Sequence, residues 1–281
     1  MMRFWPLFIL IALSLVCAGV PFFENILGRE TDTTDLATRF LPPSTVFWLG
    51  TDELGRDLFL RLLEGGRISL AVGLGAALIS VFIGTAIGMY AGYYGGRTDA
   101  FLMRLTDIML ALPALPLLII LSAVDLQKLG IAADSTFAGI AKIVFLVCLF
   151  GWMGVARLAR ARTLEIASLD FIRASRALGV SHTRIIHRHI LPNILGTVIV
   201  AATLAAGHII LLESVLSFLG LGIQPPAASW GNMLTRAEDH IWEHPLLMIW
   251  PGLMIFLTVL CFNLTGDLLQ DKLDPKSKKR R

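Results

Sequence analysis

Only 16% of the 281 residues are charged and only three are cysteine. Cys17, Cys148 and Cys261 each fall inside an apolar run. An odd number of thiols in apolar surroundings speaks for packing, not for disulfides or a metal site. There is no Gly-x-x-x-x-Gly-Lys-Ser/Thr loop, so the chain has nothing with which to cradle ATP phosphates. His-Glu-x-x-His, Cys-x-x-Cys and a nucleophile elbow are also missing. These absences exclude the common ATPase, zinc-hydrolase, dithiol and serine-hydrolase readings. They leave no expected catalytic residue, cofactor or metal, and nothing points to nucleic acid as a partner.

What is present is apolar: 56% of the residues are hydrophobic. A soluble domain of this size does not have that composition, so the expected class is an all-α membrane protein lying in a lipid bilayer. The run Phe4–Val20 is long enough for about 25 Å of helix and reads as an uncleaved first span rather than a signal peptide. Residues 21–66 are polar, with eight acidic side chains against four arginines. Within them, Arg56–Glu64 reads as a short amphipathic helix at the membrane surface, with Leu58, Phe59, Leu62 and Leu63 on one side and Asp57 one turn from Arg61. A solvated linker is the plainer alternative.

Five further spans follow. Leu70–Gly92 carries Gly84, Gly88 and Gly92 at four-residue spacing, a flat face for a neighbouring helix. Leu102–Ser122 contains Pro113 and Pro116, which should bend it, and Asp107, placed to pair with Arg104. Ala138–Ala156, Ile194–Leu212 and Pro245–Leu264 complete six. His208 lies in mid-span, where an ionisable group marks either a transport role or a hydrogen bond to a neighbouring helix. Glu213 follows five residues later. With both termini inside, cytoplasmic pieces hold sixteen Lys/Arg and outer pieces six. The positive-inside bias therefore places both ends in the cytoplasm. The chain divides into residues 1–65 (first span and outer segment), 66–275 (five-helix core with a basic segment at 157–193) and 276–281, a basic tail set against anionic lipid heads.

Asp170–Asn193, DFIRASRALGVSHTRIIHRHILPN, is the most basic interval between apolar runs. It reads as a short helix, a break at Gly179 and one or two further turns before Leu191-Pro192 opens the next span. Arg173-Ala174-Ser175, Gly179 three residues on, and His189-Ile190-Leu191-Pro192 after nine more resemble the EAA loop of bacterial ABC importer permeases. Arg173 stands for the usual Glu and His189 for the usual Ile, as in the dipeptide/oligopeptide/nickel permease family. Gly50-Thr51-Asp52-x-x-Gly55-Arg56-Asp57 resembles a signature of the same family. So do Glu213-x-x-Leu-Ser-Phe-Leu-Gly-Leu-Gly222 with Pro225-Pro226 and Ser229-Trp230-Gly231, and Asn263–Asp267 with Leu273-Asp274-Pro275.

The resemblance implies a type I importer permease with six transmembrane helices, the second or C-type subunit of its pair. It also implies a coupling surface made of Arg173, Ala174, Ser175, Ala177, Gly179, His189, Leu191 and Pro192. The implied partners are a homologous permease subunit, two cytoplasmic ABC ATPases and an extracytoplasmic solute-binding protein, with di- and oligopeptides as substrate and nickel or another small solute as the alternative. His208, Glu213 and Asp107 are the candidate pore or intramembrane polar residues. A proton-coupled secondary transporter using His208 or Glu213 would need internal repeats and more spans, and neither is visible.

Overall fold

The structure, a computed structural model, describes residues 4–124 and 136–273. The basic tail and the loop at 125–135 lie outside them. The described residues form helices α1 (Trp5–Ala18), α2 (Val20–Leu27), α3 (Leu58–Tyr94), α4 (Gly96–Ala111), α5 (Ala114–Ser122), α6 (Thr136–Ala167), α7 (Asp170–Ala177), α8 (His182–Ile185), α9 (Leu191–Phe218), α10 (Trp230–Ala237) and α11 (Leu246–Leu273). Four continuous helical stretches are long and apolar enough to cross a membrane: Leu58–Tyr94, Phe137–Ala167, His182–Phe218 and Leu246–Leu273. The pairs α1–α2 and α4–α5, bent by 53° and 80°, bring the number to six if each pair is one span. The Lys272 ammonium sits 3.7 Å from the Phe4 ring centroid, so the start of α1 and the end of α11 lie on the same side of the bundle.

α3 is the central element. It does not begin at Leu70 but runs unbroken from Leu58, where the Asp57 carboxylate caps it by accepting from the Phe59 and Leu60 amides. The expected surface helix at Arg56–Glu64 is therefore the first two turns of α3. Leu58, Leu62 and Leu63 are buried in protein, not in lipid, and so is Arg61. Residues 65 and 66 fall inside this helix, so the composition change there marks no break in structure.

The glycine stripe meets α6. A Cβ on Gly84, Gly88 or Gly92 would stand 2.4, 2.3 or 2.8 Å from the carbonyl oxygens of Trp152, Ala156 and Arg160. Glycine at these positions lets two long helices touch backbone to backbone.

Of the two prolines expected to bend the third span, one does so. Pro113 forces Leu112 into an extended conformation (ψ 136°), and the helix breaks there. Pro116 falls in the first turn of α5, where its missing N–H would have had no helical acceptor. α6 runs eleven residues past the expected end at Ala156, because Ala156, Ala159 and Thr163 continue its buried face while arginines occupy the other.

Candidate functional site

Two regions hold the first signature string and the loop motif. The first is residues 28–57, a compact knot over the start of α3. Gly50 adopts φ +86°; its amide donates to the Phe47 carbonyl at 3.0 Å and its carbonyl accepts from the Leu58 amide. The Thr51 hydroxyl accepts from the Leu41 amide and donates to the Thr38 carbonyl. Asp52 Oδ1 accepts from the Leu54 and Arg56 amides, both at 2.9 Å, and Oδ2 takes Arg56 Nε at 2.7 Å. At Gly55, φ is +73° and a Cβ would stand 1.8 Å from the Asp35 carbonyl oxygen.

Asp57 combines its capping role with an ion pair to Arg29 at 3.3 Å. Burial pushes its carboxyl up from the ordinary range, against the pull of the two backbone amides and Arg29. The expected Asp57–Arg61 pairing does not form. Arg61 reaches Asp32 at 2.6 Å and the Pro226 carbonyl at 2.8 Å, tying the knot to the segment ahead of α10.

The second region is α7 and the turns after it. Asp170 stands in the first turn and Arg176 in the last, each suited to the helix dipole. The helix ends in a Schellman motif. The Val180 amide donates to the Ser175 carbonyl at 3.1 Å, the Gly179 amide to Arg176 at 3.0 Å, and Gly179 takes φ +76°. The break expected at Gly179 is there.

α7 is seated by one side. Ile172 is fully buried with Ile185, Ile186 and Ile190 against Met89, Tyr93, Val155 and Ala159 of α3 and α6. Arg176 stacks over the Tyr93 ring at 4.5 Å, and the Tyr93 hydroxyl meets His182 Nδ1 at 2.8 Å. Its other side is open. Arg173, Ala174 and Ala177 are exposed, Leu178 is 83% exposed and Phe171 46%. Among the described residues, Arg173 pairs with Asp170, at 3.6 Å on the surface. Ser175 turns its hydroxyl back to the Phe171 carbonyl.

Phe171, Ala174 and Leu178 stand at i, i+3 and i+7, one face of the helix. Phe171 and Leu178 are absent from the motif, and only that spacing could have singled them out. His189 is half-buried, its ring 6.0 Å from Phe171, so the closing part of the motif packs beside α7. At 186–190 the helix widens to a π turn, with the Leu191 amide donating to Ile186, before Leu191 and Pro192 open α9.

The remaining polar candidates separate. Asp107 pairs with Arg157 of α6, not with Arg104, because the α4–α6 packing brings the arginine closer than its own helix does. Glu213 is completely buried where α3, α9 and α10 join. Its carboxylate accepts from Ser69 at 3.0 Å and Ser217 at 2.7 Å, and Ser69 in turn accepts from the Trp230 amide. His208 is exposed on α9.

Residues 84–279 match the family described as binding-protein-dependent transport system inner membrane component. The oligopeptide transport system permease protein OppC of Bacillus subtilis is 37% identical over 97% of this chain and 85% of its own length. The glutathione transport system permease protein GsiD of Pectobacterium atrosepticum is 43% identical over 84% of this chain and 75% of its own. The nickel transport system permease protein NikC of Escherichia coli is 36% identical over 89% and 86%. In fold, the chain is similar to the inward-facing MetNI methionine ABC transporter, with a TM-score of 0.61 at 19% identity over 77% of this chain and 98% of that one. The chain belongs to the binding-protein-dependent inner membrane components, as a multi-pass permease subunit of the peptide and nickel ABC importer family.

Proposed function

We propose that this permease forms one half of a heterodimeric pore for di- and oligopeptides, and that α7 is the surface on which a cytoplasmic ATPase docks. The observation that carries the docking role is the pairing of a rigid seat with an open apolar face. Ile172 and the Schellman turn fix α7, while Phe171, Ala174 and Leu178 face outward. Small and apolar side chains on a fixed helix suit insertion into a groove of a partner. ATP hydrolysis belongs to that partner, since this chain has no phosphate loop. The second permease subunit completes the pore, and a solute-binding protein delivers the solute at the opposite face. Both termini are cytoplasmic, consistent with the Lys/Arg bias and with Phe4 and Lys272 meeting on one side. Relatives named for oligopeptides and dipeptides, at 37% and 41% identity, support peptides as the substrate; the relative named for nickel supports the second reading.

Leu178→Asp and Ala174→Glu test the docking surface. Neither residue packs within the chain, so membrane abundance should match wild type. Co-purification of the ATPases and uptake of labelled dipeptide should both be lost, because a charge would be buried unpaired at the contact. Variants that keep their ATPases and full uptake would remove α7 from the role. Parallel uptake of labelled dipeptide and of nickel by the wild-type complex separates the two substrates.

A further inference from the structure

Between residues 249 and 270, the exposed positions of α11 fall on one stripe. Ile249, Leu253 and Phe256 continue, at helical spacing, into Asn263, Asp267 and Gln270, so the stripe turns from apolar to polar along its length. On α9, His208 is exposed between Leu204 and Leu211, at i, i+4 and i+7. The two helices run antiparallel: Gly196 faces Leu273, Gly266 faces Thr203 and Leu204, and Gly207 faces Phe262. Asn263 Oδ1 lies 3.7 Å from where a Cβ on Gly207 would stand, so the amide sits beside the residue preceding His208. Helical geometry carries both side chains to the same side of the α9–α11 pair. The Gly207–Phe262 contact sets Asn263 level with His208, which stands near the middle of α9.

An imidazole and a carboxamide at that depth need hydrogen-bonding partners, and acyl chains offer none. The contrast lies within the molecule. The exposed face of α1, with Leu7, Phe8, Ile11 and Leu15, is apolar throughout, as a lipid-facing surface is. We infer that His208 and Asn263 line the path of the transported solute and hydrogen-bond the amide and carboxylate groups of a passing peptide. The inference rests on reading the chain as a peptide importer's permease. Neither residue touches α7, so the two proposals fail separately.

The test uses the assembled complex carrying His208→Cys, Asn263→Cys or Phe8→Cys, treated with a membrane-impermeant thiol reagent. Native Cys17, Cys148 and Cys261 are buried, so unaltered protein gives the background. Thiolates form and react only where water reaches them. Labelling at 208 and 263 should exceed that at 8 by about tenfold or more, and a transported dipeptide should slow it. Labelling no faster than at Phe8→Cys would overturn the inference, whether lipid or a dry contact with the companion subunit covers the face. Labelling that the dipeptide leaves unchanged would overturn the peptide contact. His208→Leu and Asn263→Leu should raise the KM for uptake severalfold while ATPase stimulation by loaded binding protein persists; an unchanged KM in both would also count against it. Failure of the importer reading would show instead as wild-type complex that takes up neither dipeptide nor nickel.

Discussion

In the knot at residues 28–57, the motif side chains are used up inside the chain: Thr51, Asp52, Arg56 and Asp57 are all buried and all hydrogen-bonded. In α7 the motif side chains face outward, and the burial that holds the helix comes from Ile172, which the motif does not include. Two strings that look equally specific in sequence therefore do different work. One specifies a local structure; the other leaves a surface open on a structure specified by its neighbours. A motif residue with every polar atom satisfied within its own chain has little left to offer a partner, whereas an exposed alanine on a rigid helix does.

Gly55 and Gly179 sharpen the contrast, since their φ values, +73° and +76°, are nearly equal. A Cβ at Gly55 would overlap the Asp35 carbonyl, while at Gly179 it would meet nothing within 4 Å. Gly55→Ala should cost about 3 kcal/mol or more, read as lost membrane abundance and a collapsed melting transition. Gly179→Ala bears only the backbone cost, about 1 kcal/mol, and should keep normal abundance. Equal losses in the two variants would erase the distinction between the regions.

Asp57→Ala comes next, at about 1–2 kcal/mol, because it uncaps α3 and takes from Arg29 its carboxylate partner, leaving the Val46 carbonyl and the Phe47 ring. Asp57→Asn keeps the cap and should recover most of the melting temperature. Asp107→Asn stands last. Its ion pair with Arg157 is 54% exposed on both sides, so its removal should change stability by less than about 1 kcal/mol. A larger effect would mean that this end of the bundle depends on surface charge more than its geometry indicates.

The apolar runs, the glycine stripe, the bend at Pro113 and the break at Gly179 were all legible in the sequence, because each is a local property of composition or φ. The ion pairs were not. Spacing arguments see partners three or four residues away and so favoured Asp57–Arg61 and Asp107–Arg104. The structure joins residues 29, 50 and 61 apart in Asp32–Arg61, Asp107–Arg157 and Asp99–Arg160. The length of α3 was hidden for a related reason: Arg61 and Glu64 look like the end of an apolar span, and only the knot above them shows that Arg61 is buried. Glu213 is legible as an intramembrane polar group, but its setting between serines of α3 and α9 cannot be read from one helix. Asn263 gains its setting only from α9, whose Gly207 lies beside it.

α8, the π turn and α9 form one uninterrupted rod of 37 residues, His182–Phe218, about 55 Å long. Its lower end carries His189 against α7, and near its upper end Glu213 grips Ser69 of α3 while Trp230 of α10 rests on the same serine. Pivoting by about 10° around its middle would carry each end through roughly 5 Å in opposite directions, with no side-chain relay between them. The wide turn at 186–190 is the one collar in the rod where the α-helical register slips. How stiff that collar is would set how much of a push at one face arrives at the other.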